Sequence, residues 1–395
     1  MNFEDLKNDY SNKTKIAIVC VGYNRIGGLQ RLLNSLQRGE YPEGESIPLV
    51  ISIDCSGNEE LYEYARSYEW NHGAKYVNIQ NKRLGLRDHI YQCGDLTKYF
   101  KAVVLLEDDL FVSKHFYSYV VQTLNRYGDD SRIAQISLYK NEINGYVGLP
   151  FSERKTDSDV FLMQDVSTWG ECWNERMWNK FVEWRETSSE DKIRTIDMSS
   201  IIKNWTRAWS KYYNAYVVDT GKFVIYPSVS HSTNFNDAGG EHGSDGSFVQ
   251  VSLMNTAKTY NLPDFDKLEK YDIYFNNIHL YKWLGISPDD LCLDLYGYNR
   301  NEKQKKYLLS TKILPYKVIR SFSLSMRPIE VNVEENLSGD GIFLYDTNSQ
   351  VTPDKGIYSK DFVRYHLQGF DYRLLLKEVS THFRERLCVK LRLKK

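Results

Sequence analysis

Short apolar runs recur through about the first 110 residues of the chain, and segments with helical spacing separate them. The runs are Ile16–Val21, Leu49–Ile53, Tyr76–Ile79 and Ala102–Leu106. After the first run, leucines recur three and four positions apart, which is typical of a helix with one buried face. Continuous apolar strands that alternate with amphipathic helices predict a mostly parallel sheet covered by helices on both faces, and so an α/β fold.

Polar residues follow three of these predicted strands at the point where each strand ends. They are Tyr23, Asn24 and Arg25 after the first strand, Asp54 after the second, and Glu107, Asp108 and Asp109 after the fourth. In an open parallel sheet, ligands bind in the crevice beyond the carboxyl ends of the strands. We therefore expect these side chains to converge on one crevice.

Glu107, Asp108 and Asp109 are consecutive carboxylates that close an apolar run. Like charges so close together repel each other and raise each other's pKa. A hard divalent cation removes that cost, and Mg²⁺ or Mn²⁺ binds the oxygens of carboxylates and phosphates. The triplet therefore indicates a metal site that faces a phosphorylated ligand. The alternative is a solvated turn in which one aspartate caps the helix that begins near Ser113.

Length and composition limit the classes of protein to which the chain can belong. Its 395 residues exceed one typical domain, and we expect a larger α/β domain over 1–260 and a smaller α+β region over 261–395. The net charge of −1 gives no overall field that would attract nucleic acid. The six cysteines are scattered without a CxxC pair, and the sequence shows neither a signal-peptide pattern nor an apolar run of membrane-spanning length. These features favour a cytoplasmic protein.

Aromatic residues are concentrated between residues 160 and 226, where six of the eight tryptophans lie. Trp169 and Trp173 are four positions apart, and so are Trp205 and Trp209, so that each pair would share a face if it lay on a helix. Their rings are candidates for stacking on sugars, and the alternative is that they pack in the core.

Two further segments are candidates for contacts with ligands. Residues 231–247 are rich in Gly, Asn, Asp and Ser, which predicts a loop, either a mobile lid or an ordinary exposed connection. His231 in this segment is a candidate contact for phosphate or metal. Residues 382–395 are basic with interleaved apolar residues, which indicates either a peripheral contact with an anionic membrane or a solvated tail.

Five segments, in this order along the chain, resemble GT-A-fold glycosyltransferases, and most of all the bacterial sugar transferases related to N-acetylglucosaminyltransferase I. The segments are IAIVCVGYNRIGGLQRLLNSL, VISIDCSGNEE, NKRLGL, VVLLEDDLFVSKHFYSYV, and STWGECWNERMWNKF followed by YPSVSHSTNFNDAGGEHGS. Together they span about residues 15 to 247.

The resemblance implies a GT-A fold and a metal-dependent glycosyltransferase. It implies a nucleotide-diphosphate sugar as donor, with a UDP-sugar favoured, and a manganese or magnesium ion. The acceptor would be a glycan or a lipid-linked glycan in bacterial surface polysaccharide synthesis, and the anomeric configuration would be inverted.

The resemblance also suggests roles for individual residues. Asp109 would be the direct metal ligand, and Asp108 and Glu107 would face the ribose, the donor sugar or a water outside the ion's direct ligands. Asp54 and the Tyr23–Arg25 turn would lie near the base and the ribose of the donor. Arg87 would help to hold the pyrophosphate or the donor sugar.

The catalytic base is the residue that the resemblance leaves open. The related transferase has an aspartate before a Trp-x-Arg-like stretch, and here Asn204 precedes Trp205. The family commonly has an aromatic residue after Trp169-Gly170, and here Glu171 stands at that position. The candidates for the base are therefore Asp197, Glu171 and Asp237.

Two other classes of protein remain as alternatives. A nucleotidyltransferase acting on sugar phosphates would use the same sheet and carboxylates, although Gly27-Gly28 with Arg25 makes only a thin phosphate loop. A catalytically degenerate domain that only binds a sugar would explain the missing carboxylate before Trp205.

Overall fold

The computed structural model describes residues 6, 9–237, 249–299, 305–352, 356–367, 369 and 371–392, without the side chains of 382 and 385–392. The helices are α1 (Ile26–Gln37), α2 (Glu59–Ser67), α3 (Leu86–Gly94), α4 (Phe116–Tyr127), α5 (Glu175–Glu186), α6 (Glu190–Thr195), α7 (Ser200–Lys203), α8 (Trp209–Asp219), α9 (Leu280–Leu284), α10 (Val331–Glu334), α11 (Lys360–Leu367) and α12 (Tyr372–Arg392). Short 3₁₀ helices cover Tyr10–Thr14, Asp95–Lys98 and Phe265–Lys267.

The strands are β1 (Ile16–Gly22), β2 (Leu49–Ile53), β3 (Lys75–Ile79), β4 (Ala102–Glu107), β5 (Leu110–Val112), β6 (Ile133–Ser137), β7 (Ile143–Asn144), β8 (Leu149–Pro150), β9 (Val160–Met163), β10 (Glu171–Asn174), β11 (Phe223–Pro227), β12 (Ser232–Asn234), β13 (Lys270–Tyr271), β14 (Leu291–Asp294), β15 (Tyr307–Ser310), β16 (Tyr316–Phe322) and β17 (Ile342–Gln350).

A nine-stranded sheet forms the centre of the molecule, in the order β13-β9-β11-β6-β10-β4-β1-β2-β3. Strands β3, β2, β1 and β4 are parallel neighbours, whereas β10 runs antiparallel to both β4 and β6. Every residue of β1 and β2 is buried, as expected for strands that helices cover on both faces. The predicted α/β fold with a mostly parallel sheet is confirmed, and the four predicted strands of the first 110 residues are present.

A two-stranded ribbon stands beside the carboxyl end of β4. Strand β12 pairs antiparallel with β5, so that Asn234 lies opposite Leu110 and Ser232 opposite Val112. The prediction of a loop over 231–247 is therefore wrong for its first part, because the polar residues of β12 are buried and paired. The remainder of that predicted loop, from residue 238 on, lies outside the described residues.

The central sheet continues past residue 260, where the sequence suggested a boundary. Strand β13 pairs with β9, and the side chain of Tyr127 donates a hydrogen bond of 2.7 Å to the carbonyl of Pro263. A second sheet, in the order β14-β15-β17-β16, follows it in the chain. The division at 260/261 stays a prediction, but the central sheet itself crosses it.

Candidate active site

The ends of β1 and β4 bring a cation and two carboxylates together. These strands are parallel neighbours, so that the turn after β1 lies beside the acidic end of β4. The guanidinium of Arg25 contacts the carboxylate of Asp108, and its Nη2 lies 3.3 Å from Oδ2 of Asp109. The backbone N–H of Tyr23 also donates to Asp108. Of the three strand ends that the sequence predicts to converge, the structure brings those of β1 and β4 together.

Asp108 is the buried member of the acidic triplet. Its side chain is only 5% exposed. Burial raises its pKa to about 6, although the charge of Arg25 and its hydrogen bond act in the opposite direction. Gly28 of α1 packs against the same residue, because a Cβ at that position would lie 2.5 Å from the carbonyl oxygen of Asp108. Asp108 therefore fixes Arg25 and the beginning of α1 in place.

Glu107 and Asp109 face a cavity of about 520 Å³, and Arg25 lies in its wall. The Oδ1 atom of Asp109 is buried and has no hydrogen-bond partner among the described residues. Hard divalent cations bind such carboxylate oxygens and are often held by one or two carboxylates together with the phosphates of a substrate. The described residues contain no cluster of three metal-ligating side chains. The unpartnered oxygen of Asp109 fits an ion whose remaining ligands a bound phosphate would supply.

Asp165 is a carboxylate in the same cavity that the sequence analysis missed. It follows the end of β9, and the hydroxyl of Tyr146 donates a hydrogen bond of 2.6 Å to its Oδ1. Burial raises its pKa to about 7, against the hydrogen bonds from Tyr146 and from the backbone of Val166. The signal was present in the sequence, because Asp165 follows the apolar run Val160–Met163 as Asp54 follows β2. That run is not among the strands predicted from the sequence.

Asp54 holds a turn of the backbone. Its Oδ1 accepts hydrogen bonds from the N–H groups of Cys55 and Leu84, both at 2.8 Å, and its Oδ2 accepts one from Gly85 at 2.9 Å. Gly85, which precedes α3, has a φ of 79°, which suits glycine better than other residues. The carboxylate is buried and is not in the cavity wall. Its contact with the donor stays a prediction.

Tyr23, Asn24 and Arg87 lie beside the cavity and outside its wall. The ring of Tyr23 lies 4.7 Å below the guanidinium of Arg83, and the Oδ1 atom of Asn24 accepts a hydrogen bond of 2.9 Å from Asn58. Arg87 donates a hydrogen bond of 3.3 Å to the hydroxyl of Tyr212. Their roles in binding the donor stay predictions.

The structure does not bring the three predicted bases into the cavity wall. Glu171 is completely buried on β10, and burial together with the nearby charge of Glu107 raises its pKa well above the ordinary value. Asp197 accepts a hydrogen bond of 3.1 Å from the hydroxyl of Tyr274. Asp237 forms an ion pair with Arg31. Because Glu171 is completely buried and lies outside the cavity wall, an acceptor hydroxyl in the cavity cannot reach it, so Glu171 in particular does not suit this role.

His231 is placed as a structural residue, against the prediction of a metal or phosphate contact. Its imidazole is completely buried and is stacked on the ring of Tyr119. Both ring nitrogens are engaged, Nδ1 at 3.1 Å from the hydroxyl of Ser113 and Nε2 at 3.1 Å from that of Tyr260. Burial lowers its pKa to about 3. No nitrogen is left for a metal in this arrangement.

The four tryptophans proposed for sugar stacking divide into two groups. Trp169, Trp205 and Trp209 line the cavity, whereas Trp173 lies in the core on β10. The expectation that each pair shares a helix face is wrong, because Trp173 lies on a strand and Trp205 lies between α7 and α8. The ring of Trp205 stacks on that of Tyr146, with centroids 6.1 Å apart. Aromatic surface therefore lies next to Asp165.

Comparison with known proteins gives only distant structural similarity. No family model and no curated protein matches the sequence. Among solved structures, residues 1–349 of S. aureus TarS in complex with UDP-GlcNAc match with 13% identity and a TM-score of 0.36, over 58% of this chain and 60% of that one. GalNAc-T7 with UDP, GalNAc and Mn²⁺ matches with 16% identity and a TM-score of 0.37, over 55% of this chain and 43% of that one.

A third match is the mannosyltransferase PcManGT from Pyrobaculum calidifontis in complex with GDP-Man and Mn²⁺. It has 14% identity and a TM-score of 0.32, over 45% of this chain and 48% of that one. The chain thus spans about three fifths of the length of the TarS structure and less of the other two. Similarity at this level does not define a family for the chain.

Proposed function

We propose that the chain is a glycosyltransferase that moves a sugar from a nucleotide-diphosphate donor, with a UDP-sugar favoured, to a glycan or lipid-linked acceptor. The biological setting that we propose is the synthesis of a bacterial surface polysaccharide. The observation that carries the proposal is one cavity whose wall contains Glu107 and Asp109 and also a third, separate carboxylate, Asp165. Sugar transfer needs these two functions, neutralisation of the leaving diphosphate and activation of the acceptor.

The residues at the end of β4 suit the diphosphate of the donor. A manganese or magnesium ion bound to Asp109 would act as a Lewis acid on the leaving diphosphate. Arg25 brings a fixed positive charge to the same place, and Asp108 holds its guanidinium. Glu107 is also in the cavity wall, and in this proposal it would face the ribose or the sugar of the donor.

Asp165 suits the role of the general base better than Asp197, Glu171 or Asp237. It lies in the cavity wall, and its pKa of about 7 is close to the value at which a base is both ionised and basic enough at neutral pH. It would accept the proton of the acceptor hydroxyl while that oxygen attacks the anomeric carbon. The hydroxyl of Tyr146 holds one carboxylate oxygen at 2.6 Å and fixes its orientation. Direct displacement assisted by one base inverts the anomeric configuration.

Two variants test this assignment, with donor hydrolysis and sugar transfer measured separately for UDP-sugars with and without Mn²⁺. We expect Asp165→Asn to lower kcat for transfer by about 100-fold or more, the usual contribution of a general base, and to leave donor binding unchanged. We expect Asp109→Asn to weaken the Mn²⁺-dependent binding of the donor. The exposed Asp129 supplies the control, because Asp129→Asn should change neither kcat for transfer nor the binding of the donor.

The same assays distinguish the alternatives. Full transfer activity in Asp109→Asn and Asp165→Asn would refute the proposal. Pyrophosphate release from a sugar phosphate and a nucleoside triphosphate, without transfer from UDP-sugars, would favour the nucleotidyltransferase. Binding of the donor with neither hydrolysis nor transfer would favour a domain that only binds sugars.

A further inference from the structure

Helix α12 carries an apolar stripe that is not covered by the rest of the described chain. Tyr372, Leu376, Val379 and Phe383 are 66%, 70%, 65% and 66% exposed. They are spaced by four, three and four residues, which places them along one face of the helix over three turns. Contiguous exposed apolar surface of this kind marks a site of interaction.

The residues beside this stripe are basic. Arg373, Lys377 and Arg384 are exposed, and helical spacing places them together along one edge of the stripe. From residue 372 to residue 395 the sequence contains eight lysines and arginines and two glutamates. Because the whole chain has a net charge of −1, the remaining residues are net negative and the positive charge is concentrated in this segment.

We propose that α12 binds the surface of an anionic lipid bilayer, with its apolar stripe in the boundary between headgroups and acyl chains. A helix with an apolar face that lysines and arginines border lies in the plane of that boundary. Its basic side chains then approach the negatively charged headgroups, which attract each such residue near the surface. The apolar stripe and the cations at its edge are both required. The proposal does not depend on the proposed glycosyltransferase activity.

A second copy of the chain is a less suitable partner for this face. The spacing of the four apolar residues is that of a heptad seam, and in a coiled coil the positions that continue this seam would be buried between the two helices. The next two are Arg386 and Lys390, two cations where apolar residues are required. Two copies would also bring together two segments of the same positive charge. An anionic lipid surface avoids both problems, because it takes up the apolar stripe and attracts the positive charge.

No helix among the described residues has the length and hydropathy needed to cross a bilayer. The contact that we propose is therefore with the surface. It extends the segment that the sequence indicated, residues 382–395, by about three turns towards its N-terminal side, because the apolar stripe begins at Tyr372.

The test is co-sedimentation of the full chain with vesicles of two compositions, phosphatidylcholine alone and equal parts of phosphatidylcholine and phosphatidylglycerol. We expect binding to the vesicles that contain phosphatidylglycerol, little binding to phosphatidylcholine alone, and loss of binding at high salt because the Debye length shortens. Equal binding to both compositions, or no binding to either, would overturn the proposal.

Variants of the stripe identify α12 as the segment that binds. Leu376→Glu combined with Phe383→Glu should lower the partition onto anionic vesicles by at least about tenfold, since it removes apolar burial and adds negative charge. Val379→Glu alone should act in the same direction. The matched control is Ile357→Glu, whose site is 67% exposed and lies outside α12, and it should bind like the parent.

Sedimentation velocity without lipid completes the test. The parent and the double variant should have the same sedimentation coefficient and the same thermal melt. If the parent is instead a dimer that the double variant abolishes, and neither binds vesicles, the face is an interface between two copies and the lipid proposal is wrong.

Discussion

Neighbouring carboxylates of this site suit different roles, because they differ in burial and in the charges around them. Asp108 and Asp109 are adjacent in the chain, but only Asp108 is closely buried against Arg25, and only Asp109 lies in the cavity wall. Asp165 is buried next to a tyrosine hydroxyl and has no cation among the partners that shift its pKa. Ionisation of Asp165 is therefore disfavoured, which suits a base that must be reprotonated and deprotonated near neutral pH.

The pH dependence of transfer follows from this difference. If Asp165 is the base, it must be ionised, so kcat/KM should rise with pH below about 7, the value that burial gives its pKa, and level off above it. The measurement is the kcat/KM profile for transfer between pH 5 and 9, with donor hydrolysis without acceptor as the reference reaction. A profile that is flat between pH 6 and 8 would contradict the assignment.

The same group makes a prediction about stability that does not require activity. The pKa of Asp165 is raised from 3.8 to about 7 on folding, so the folded state binds the proton more tightly than the unfolded state. Its contribution to stability is therefore greatest below pH 3.8 and decreases as pH rises to about 7. Urea unfolding of the parent and of Asp165→Asn should show the variant gaining relative stability over that range. A constant difference between the two would refute the shift.

Asp54 gives a prediction about local structure. Asp54→Ala leaves the N–H groups of Leu84 and Gly85 without their acceptor, so we expect a loss of about 2–4 kcal/mol in the free energy of unfolding. The turn before α3 should also become susceptible to proteases. Urea titration and limited proteolysis measure the two effects. Asp129→Ala, at an exposed site, should change stability by no more than about 0.5 kcal/mol.

At the scale of elements, the position of α1 against β4 depends on one glycine. A Cβ on Gly28 would meet the backbone of Asp108, whereas a Cβ on Gly27 would meet nothing within 4 Å. Gly28→Ala should therefore lower stability by about 1–3 kcal/mol and reduce activity, because α1 and Arg25 must move away from the acidic strand end. Gly27→Ala should be neutral or stabilising by up to about 1 kcal/mol. Equal melting temperatures for the two variants would contradict this account.

Elements with a strong local pattern could be predicted from the sequence, and those defined by distant pairing could not. The strands β1, β2 and β4 are buried on both faces, so they are continuous apolar runs with clear ends. Strand β12 is polar, and only its pairing with β5 makes it a strand, so its residues were predicted to be a loop. Strand β9 is short and follows no predicted helix, which is why Asp165 at its end was missed.

The same distinction applies to the candidate site. The acidic triplet and Arg25 follow adjacent parallel strands, and the topology alone predicts that they meet. The residue type alone is less informative for histidine. His231 is of a type that commonly binds metals, but it lies in a buried cluster with Ser113 and Tyr260. Whether a polar residue faces a cavity or the core depends on packing that a single sequence does not reveal.

At the scale of the whole molecule, one arginine joins segments that are far apart in the chain. Arg154 donates to Glu269 at 3.0 Å and, through two nitrogens, to Glu334 at 2.9 and 2.8 Å. Its backbone N–H donates to the hydroxyl of Tyr271, which in turn donates to Glu330 at 2.6 Å. The apolar core is likewise continuous, because one cluster contains residues of the central sheet and of the second sheet.

This continuity predicts a single cooperative unfolding transition, although the sequence suggested a division at 260/261. Urea transitions followed by tryptophan fluorescence and by far-UV circular dichroism should coincide. Arg154→Leu removes the cation that Glu269 and Glu334 share, although Asn277 still donates to Glu269. It should lower the stability of the whole chain by about 1–2 kcal/mol, since the guanidinium is partly exposed. The control is Arg66→Leu, whose exposed pair with Glu63 should contribute less than about 0.5 kcal/mol. Two separate transitions, of which Arg154→Leu shifts only one, would show that the two sheets unfold independently.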